Sequence, residues 1–129
     1  MSGAGGAVWR GLTQNAAATS QDHDDPRLRG RTYAIPYERV WQAAVHLAGG
    51  GLRGWRVLES DDQRGTLRAE ARARLTGAVD DVYVRVYLDR DAQTRVDARA
   101  AARDAKRDYG RNARRLRRFF EALDQGLGR

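Results

Sequence analysis

The chain of 129 residues is long enough for one domain with a single hydrophobic core, and its lack of cysteine excludes disulfides, thiol catalysis and thiolate metal sites. The net charge of +7 lies entirely between Arg95 and Arg118, where ten basic side chains outnumber three acidic ones. No apolar run approaches the ~20 residues that span a bilayer, and the N-terminus lacks the pattern of a signal peptide, so we expect a cytoplasmic protein.

Residues 1–30 are rich in small and polar residues and have no sustained periodicity, which predicts a flexible or loosely docked N-terminal arm. We expect residues 31–129 to form a single α+β domain. A short strand is predicted at 31–35, because Pro36 ends it and suits the first turn of a helix. Apolar residues then recur at helical spacing up to residue 48, and the glycines at 49–51 end the helix.

Two β-hairpins are predicted next, with strands at 55–60 and 66–75 and then from Val82 to Leu88 and from Arg95 to Ala100. Alternation in the second hairpin predicts that Val86 faces Val96, which sets Arg85 opposite Asp97 as a favourable cross-strand pair. The residues predicted to point inward from the last three strands are Leu67, Ala69, Ala71, Ala73, Leu75, Val82, Val84, Val86, Leu88, Val96, Ala98 and Ala100.

The last predicted element is a helix from about Asp108 to Gln125, with Asp108 as its N-cap and Gly126 as its stop. Its apolar stripe comprises Tyr109, Ala113, Leu116, Phe120 and Leu123, with Phe119 at the edge. The order β-α-β-β-β-β-α predicts an α+β fold, in which a long C-terminal helix packs on one face of a curved antiparallel sheet in a helix-grip-like arrangement.

Several stretches of the chain carry a family resemblance: AIPYERVWQAA, WRVLES with GTLRAEAR, DDVYVRV, and VDARAAARDAKRDYGRNARRLRRFF. They resemble the bacterial family catalogued as domain of unknown function 1499, which implies no established activity. Ala100 and Ala102 stand where that family favours serines, and Asp104-Ala105 where it favours a small residue and glycine. The residues that match its motif are Asp80, Asp81, Asp97, Arg99, Arg103, Asp108, Gly110, Asn112 and Arg115.

This motif has two interpretations. It could form an anion site at the start of the last helix, where free N–H groups favour negative charge. Because aspartates are interleaved with arginines, we favour a structural network in which Asp108 caps the helix, Gly110 permits close approach, and Asn112 and Arg115 fasten strand to helix. Asp80 and Asp81 point to opposite faces of a strand, so we expect them to pair with arginines or cap backbone N–H groups rather than chelate one metal.

No motif predicts catalysis, a metal site or a bound cofactor. The two histidines, His23 and His46, lack the spacing of a zinc site, and no serine has a base and an orienting partner. Gly49–Gly51 follows a helix and lacks the lysine of a phosphate-binding loop. We therefore expect the protein not to be an enzyme.

The leading hypothesis is a binding or interaction module whose basic last helix contacts an acidic protein or other polyanion. Nucleic acid or an anionic membrane surface is an alternative partner for the same helix face. A third hypothesis is a carrier of a small apolar ligand, held in a cavity between the sheet and the last helix. The candidate contact residues of the basic face are Arg111, Arg114, Arg117 and Arg118.

Overall fold

The structure is a computed structural model that describes residues 16–18, 30–103 and 110–128. The described residues form two α-helices and six strands, and the six strands make one antiparallel sheet, which confirms the predicted α+β class. Strand β1 (Ala16–Ala18) lies within the predicted arm, where the sequence predicted no strand. The rest of the predicted arm up to residue 29, including His23, lies outside the described residues.

Helix α1 (Tyr37–His46) follows strand β2 (Arg31–Tyr33) where the apolar spacing predicted it, with Pro36 at its N-cap and Glu38 in its first turn. A π-helical turn, Leu47–Gly51, continues it, and the backbone leaves helical geometry at Gly49 and Gly50. Gly50 has φ +122°, a conformation that glycine adopts without the steric cost of a Cβ atom. The glycines therefore end this helix, as predicted.

Strands β3 (Trp55–Asp61) and β4 (Thr66–Arg72) form the first hairpin, with a bulge between Val57 and Glu59. Its turn closes on Gly65, which has φ +68°, and an added Cβ there would overlap the carbonyl oxygen of Val86 and the hydroxyl of Tyr37. Glycine is therefore required at position 65 by both conformation and space.

Strands β5 (Val79–Leu88) and β6 (Thr94–Ala102) form the second hairpin. Its register pairs Val86 with Val96 and Arg85 with Asp97, as predicted from the alternation of apolar residues. The sheet has the order β1-β6-β5-β4-β3, and β2 also pairs with β6. Since β5 occupies one edge of β6, the short strands β1 and β2 share its other edge.

Helix α2 (Arg111–Gly126) packs with α1 on one face of the sheet, termed here the helix face. Leu116, Phe119, Phe120 and Leu123 of α2 are fully buried. The Phe119 ring stacks on Trp55 at 5.7 Å between centroids and meets Phe120 edge-on at 5.3 Å. Small alanines on the sheet leave room for these rings, so Phe119, predicted at the edge of the stripe, lies in the core.

Three details differ from the predictions. Strand β4 ends at Arg72, so Leu75 is 96% exposed in the following turn rather than inward. Leu88 is the last residue of β5 and is 56% exposed, although it still pairs with Thr94. Helix α2 begins at Arg111 with Gly110 as its N-cap, rather than at Asp108. Asp108 and Tyr109 lie outside the described residues.

Strand β2 is fastened to helix α2 by Asp124. Its carboxylate accepts hydrogen bonds from the Tyr33 hydroxyl at 2.6 Å and from Arg31 Nε at 3.1 Å. The Arg31 guanidinium also lies 5.1 Å from the centroid of the Phe120 ring. These contacts fasten the last turn of α2 to β2.

Candidate functional site

Asp80, the first residue of the predicted motif, lies fully buried on the helix face of β5. Its Oδ2 accepts hydrogen bonds from Arg111 Nε at 2.9 Å and from Arg115 Nε at 3.0 Å, and Arg111 Nη2 bonds to the other oxygen. One buried carboxylate therefore holds two guanidinium groups one helical turn apart. This cluster fastens β5 to α2. The structural interpretation of the motif gave Arg115 this role of joining strand and helix.

Asp81, the next residue, points to the opposite face of the sheet, termed here the outer face. Arg103 donates to Asp81 Oδ1 at 2.6 Å and lies 3.1 Å from Glu70 Oε2. The hydrogen bond to Asp81 raises the pKa of Arg103, and the hydrogen bond from Arg56 lowers the pKa of Glu70. The two adjacent aspartates thus pair with arginines on opposite faces of the sheet.

Asp97 belongs to a third cluster, on the outer face at the other end of β6. Arg95 Nη2 donates to Asp97 Oδ1 at 2.9 Å, and the Tyr87 hydroxyl donates to Oδ2 at 2.9 Å. Arg95 and Asp97 are only 5% and 6% exposed, because Gly30 and Thr32 pack against them. The alternation of apolar residues predicted that Arg95 and Asp97 lie on the face opposite the valines. Their burial was not predictable in this way, because it depends on Gly30 and Thr32, which are distant in sequence.

The other described members of the motif occupy separate places. Arg99, on the outer face, lies 5.2 Å from the centroid of the Tyr83 ring. Asn112 is fully buried in the first turn of α2. Gly110 has φ +84°, so its left-handed conformation explains this glycine better than the close approach that the sequence suggested. The motif is therefore distributed over both faces of the sheet.

The four arginines predicted to form one basic face on α2 differ in exposure. Arg114 and Arg118 are exposed, and Arg117 is half-buried. Arg111, predicted on the same exposed face, instead bonds to Asp80 and has a side chain that is 27% exposed. Its guanidinium lies beside the start of β5 because the first turn of α2 packs against that end of the sheet.

A groove of about 840 Å³ lies at this end of the sheet, between the first turns of α2 and the open end of the first hairpin. Leu52 and Trp55 supply its large apolar side chains, and no acidic residue lines it among those that the structure describes. The arginines that line it are Arg53, Arg72, Arg74, Arg111, Arg114, Arg115 and Arg118.

Three of these arginines, Arg53, Arg72 and Arg74, were not among the predicted site residues. The pairing of Trp55 with Ala71, and of Ala71 with Asp80, brings the start of β3, the end of β4 and the start of β5 together. Arg53 and Arg72 therefore lie at the end of the sheet where Asp80 receives α2. The predicted hairpin already placed Arg53 and Arg72 at one end of the sheet. Only the position of α2 shows that this end forms one wall of a groove.

The guanidinium groups in the groove oppose one another electrostatically. Burial lowers the pKa of Arg115, Asp80 raises it, and the charges of Arg111 and Arg118 lower it further. Since arginine stays protonated at any physiological pH, the groove presents concentrated positive charge and many N–H donors. Such a lining can bind anions, but it offers no general base.

No three His, Asp or Glu side chains are grouped to hold a metal ion within residues 30–103 and 110–128. In the same part of the chain, no helix is long and apolar enough to cross a membrane.

Comparison with known proteins agrees with the resemblance that the motif indicated. No curated protein matches the chain. The model of the family described as protein of unknown function DUF1499 matches residues 11–123, which span strands β1 to β6 and most of α2. The chain belongs to the DUF1499 family.

Proposed function

We propose that the protein is a non-enzymatic binding module that holds an acidic partner in the arginine-lined groove. The observation that carries this proposal is the convergence of seven arginines from three chain segments on one concave surface. Arginine binds carboxylate and phosphate groups through its planar fork of N–H donors, and it does not act as a base at neutral pH. The groove is therefore suited to recognising an anion rather than transforming it.

The exposed part of the predicted basic face extends the same surface. Arg114 and Arg118 line the groove and are also accessible from solvent, so an acidic segment could contact both. Arg111 contributes differently, because Asp80 anchors it at the side of the groove. The sequence suggested a contact surface on the outside of α2, whereas the surface proposed here also includes the open end of the first hairpin.

Nucleic acid and anionic membranes carry clustered phosphates and remain alternative partners for this surface. A concave site of this size favours a ligand that enters it over a broad, flat surface. The third hypothesis, an apolar-ligand carrier, receives less support, because the space between sheet and α2 contains the packed rings of Trp55, Phe119 and Phe120.

Binding of a fluorescent oligoglutamate peptide, measured by anisotropy at several salt concentrations, tests the proposal. We expect binding that weakens as salt rises, because exposed charges are screened. Reversal of two groove arginines, Arg114→Glu with Arg118→Glu, should abolish binding, because attraction becomes repulsion at both positions.

The matched control carries Arg39→Glu with Arg90→Glu. Both of these arginines are exposed and lie outside the groove lining. This control changes the net charge by the same amount and should retain most of the affinity. Equal losses in the two double variants would mean that net charge alone attracts the peptide, and the groove would no longer be the site.

A further inference from the structure

Four arginines of the groove lining, Arg53, Arg72, Arg74 and Arg118, have no carboxylate partner among the residues that the structure describes. Asp80, which is buried beside the groove, shares its single charge between Arg111 and Arg115. Arg53, Arg72 and Arg74 lie on the hairpin side of the groove and Arg118 lies on α2, so both sides carry excess positive charge. A bound anion with one charge would leave most of this excess in place.

The size of the groove limits the ligand. Small-molecule sites typically measure about 300–1,000 Å³, and a volume of about 840 Å³ falls in this range. A compact ligand therefore has to bring several negative charges close together. Leu52 and Trp55 give it an apolar surface to contact as well.

Phosphate groups fit these two conditions better than carboxylates do. A phosphate monoester carries a charge of about −1.5 to −2 and three acceptor oxygens, whereas a carboxylate carries one charge and two oxygens. Arginine forks bind phosphate through paired N–H donors. We infer that the groove takes a compact ligand bearing two or more phosphate groups, an inference that rests on the proposed anion-binding function.

The two loops on the hairpin side of the groove are already ordered by hydrogen bonds. Arg72 N donates to the carbonyl of Gly54 at 2.9 Å, and Arg72 Nη1 donates to the carbonyl of Gly77 at 3.1 Å. Gly54 has φ +85°, and an added Cβ would lie 2.8 Å from the Arg72 carbonyl oxygen. Because this wall is held in place before binding, little ordering entropy is lost when an anion enters.

Titration calorimetry with pyrophosphate and with citrate at low salt and neutral pH tests the inference, since the two anions have similar total charge. We expect pyrophosphate to bind at least about tenfold more tightly, the effect of roughly one additional charge-assisted hydrogen bond. The double variant Arg72→Gln with Arg114→Gln should lose this binding. The control Arg39→Gln with Arg90→Gln should keep it, and unchanged thermal unfolding of both variants establishes that they fold.

The source of the phosphate groups is distinguished by vesicles containing phosphatidylinositol bisphosphate, compared with phosphatidylserine vesicles. Selective binding to the former supports a lipid headgroup, and binding of pyrophosphate without either vesicle supports a soluble ligand. Vesicle binding without pyrophosphate binding would overturn the inference. So would pyrophosphate binding that survives in the groove variant.

The outcomes separate this inference from the function on which it rests. Equal affinity for pyrophosphate and citrate, with oligoglutamate binding that depends on Arg114 and Arg118, would overturn the preference for phosphate and leave the anion-binding module intact. Failure of all three anions to bind would overturn both.

Discussion

The outer face of the sheet and the arginine-lined groove are both rich in arginine, but they use it differently. On the outer face, Arg56 and Arg68 lie 2.7 Å from Glu70 and Glu59 respectively, and Arg103 lies 2.6 Å from Asp81. In the groove, seven arginines converge, and the buried carboxylate of Asp80 bonds to two of them, Arg111 and Arg115. The two regions therefore differ in how their arginines pair with carboxylates, not in how rich they are in arginine.

The largest expected difference between the two regions is in the free energy of unfolding, when the adjacent aspartates Asp80 and Asp81 are replaced one at a time. Asp80→Asn leaves Arg111 and Arg115 beside a neutral side chain in a buried place, and breaking a buried ion pair costs about 3–5 kcal/mol of unfolding free energy. Urea unfolding measures this loss.

Asp81→Asn is the matched variant on the outer face, where the partner Arg103 is exposed to solvent. Exposed ion pairs contribute little because water screens them, so we expect a much smaller loss of stability. If the two substitutions destabilised the protein equally, the assignment of Asp80 as the buried anchor of α2 would be wrong.

A smaller effect, on the pH dependence of stability, is expected from Tyr87 on the outer face. Burial raises the pKa of Tyr87, and the nearby charge of Asp97 and the hydrogen bond to it raise it further. Since the folded protein keeps this proton to a higher pH than the unfolded chain does, the contribution to stability is present below about pH 10 and is lost as pH rises through the folded pKa.

An alkaline absorbance titration measures this pKa, with Tyr87→Phe subtracted to separate it from the other four tyrosines. Asp97→Asn should lower the pKa of Tyr87 toward its ordinary value, and Asp81→Asn should leave it unchanged. A titration of Tyr87 that is insensitive to Asp97→Asn would contradict the described cluster, provided that circular dichroism shows the variant to be folded.

The sequence predicted the fold well where a local pattern sufficed. Period-two alternation gave the register of Val86 with Val96, and helical spacing gave α1 and most of α2. It failed at Leu75, because alternation continues past Arg72, where β4 ends, and at Leu88, which is exposed at the last position of β5. It also failed at the start of α2, where a left-handed glycine rather than an aspartate occupies the N-cap.

The site was less predictable, because it depends on contacts between distant segments. The sequence predicted that Asp80 pairs with arginines or caps N–H groups and that Arg115 helps to fasten strand to helix, and in the structure these two residues bond to each other. It did not indicate that Arg111 would join them, since helical periodicity placed Arg111 with the exposed arginines. The opposing wall, with Arg53 and Arg72, is brought near α2 only by the packing of the helix on the sheet.

The most direct test of the account records the Nε–Hε signals of the arginines by NMR during titration with oligoglutamate. We predict that the signals of Arg53, Arg72, Arg114 and Arg118 shift together with one affinity. The signals of Arg56, Arg68 and Arg103 should stay in place, because carboxylates of the protein already bind those side chains. Shifts confined to the outer-face arginines, with the groove signals unchanged, would contradict the assignment of the groove as the anion-binding site.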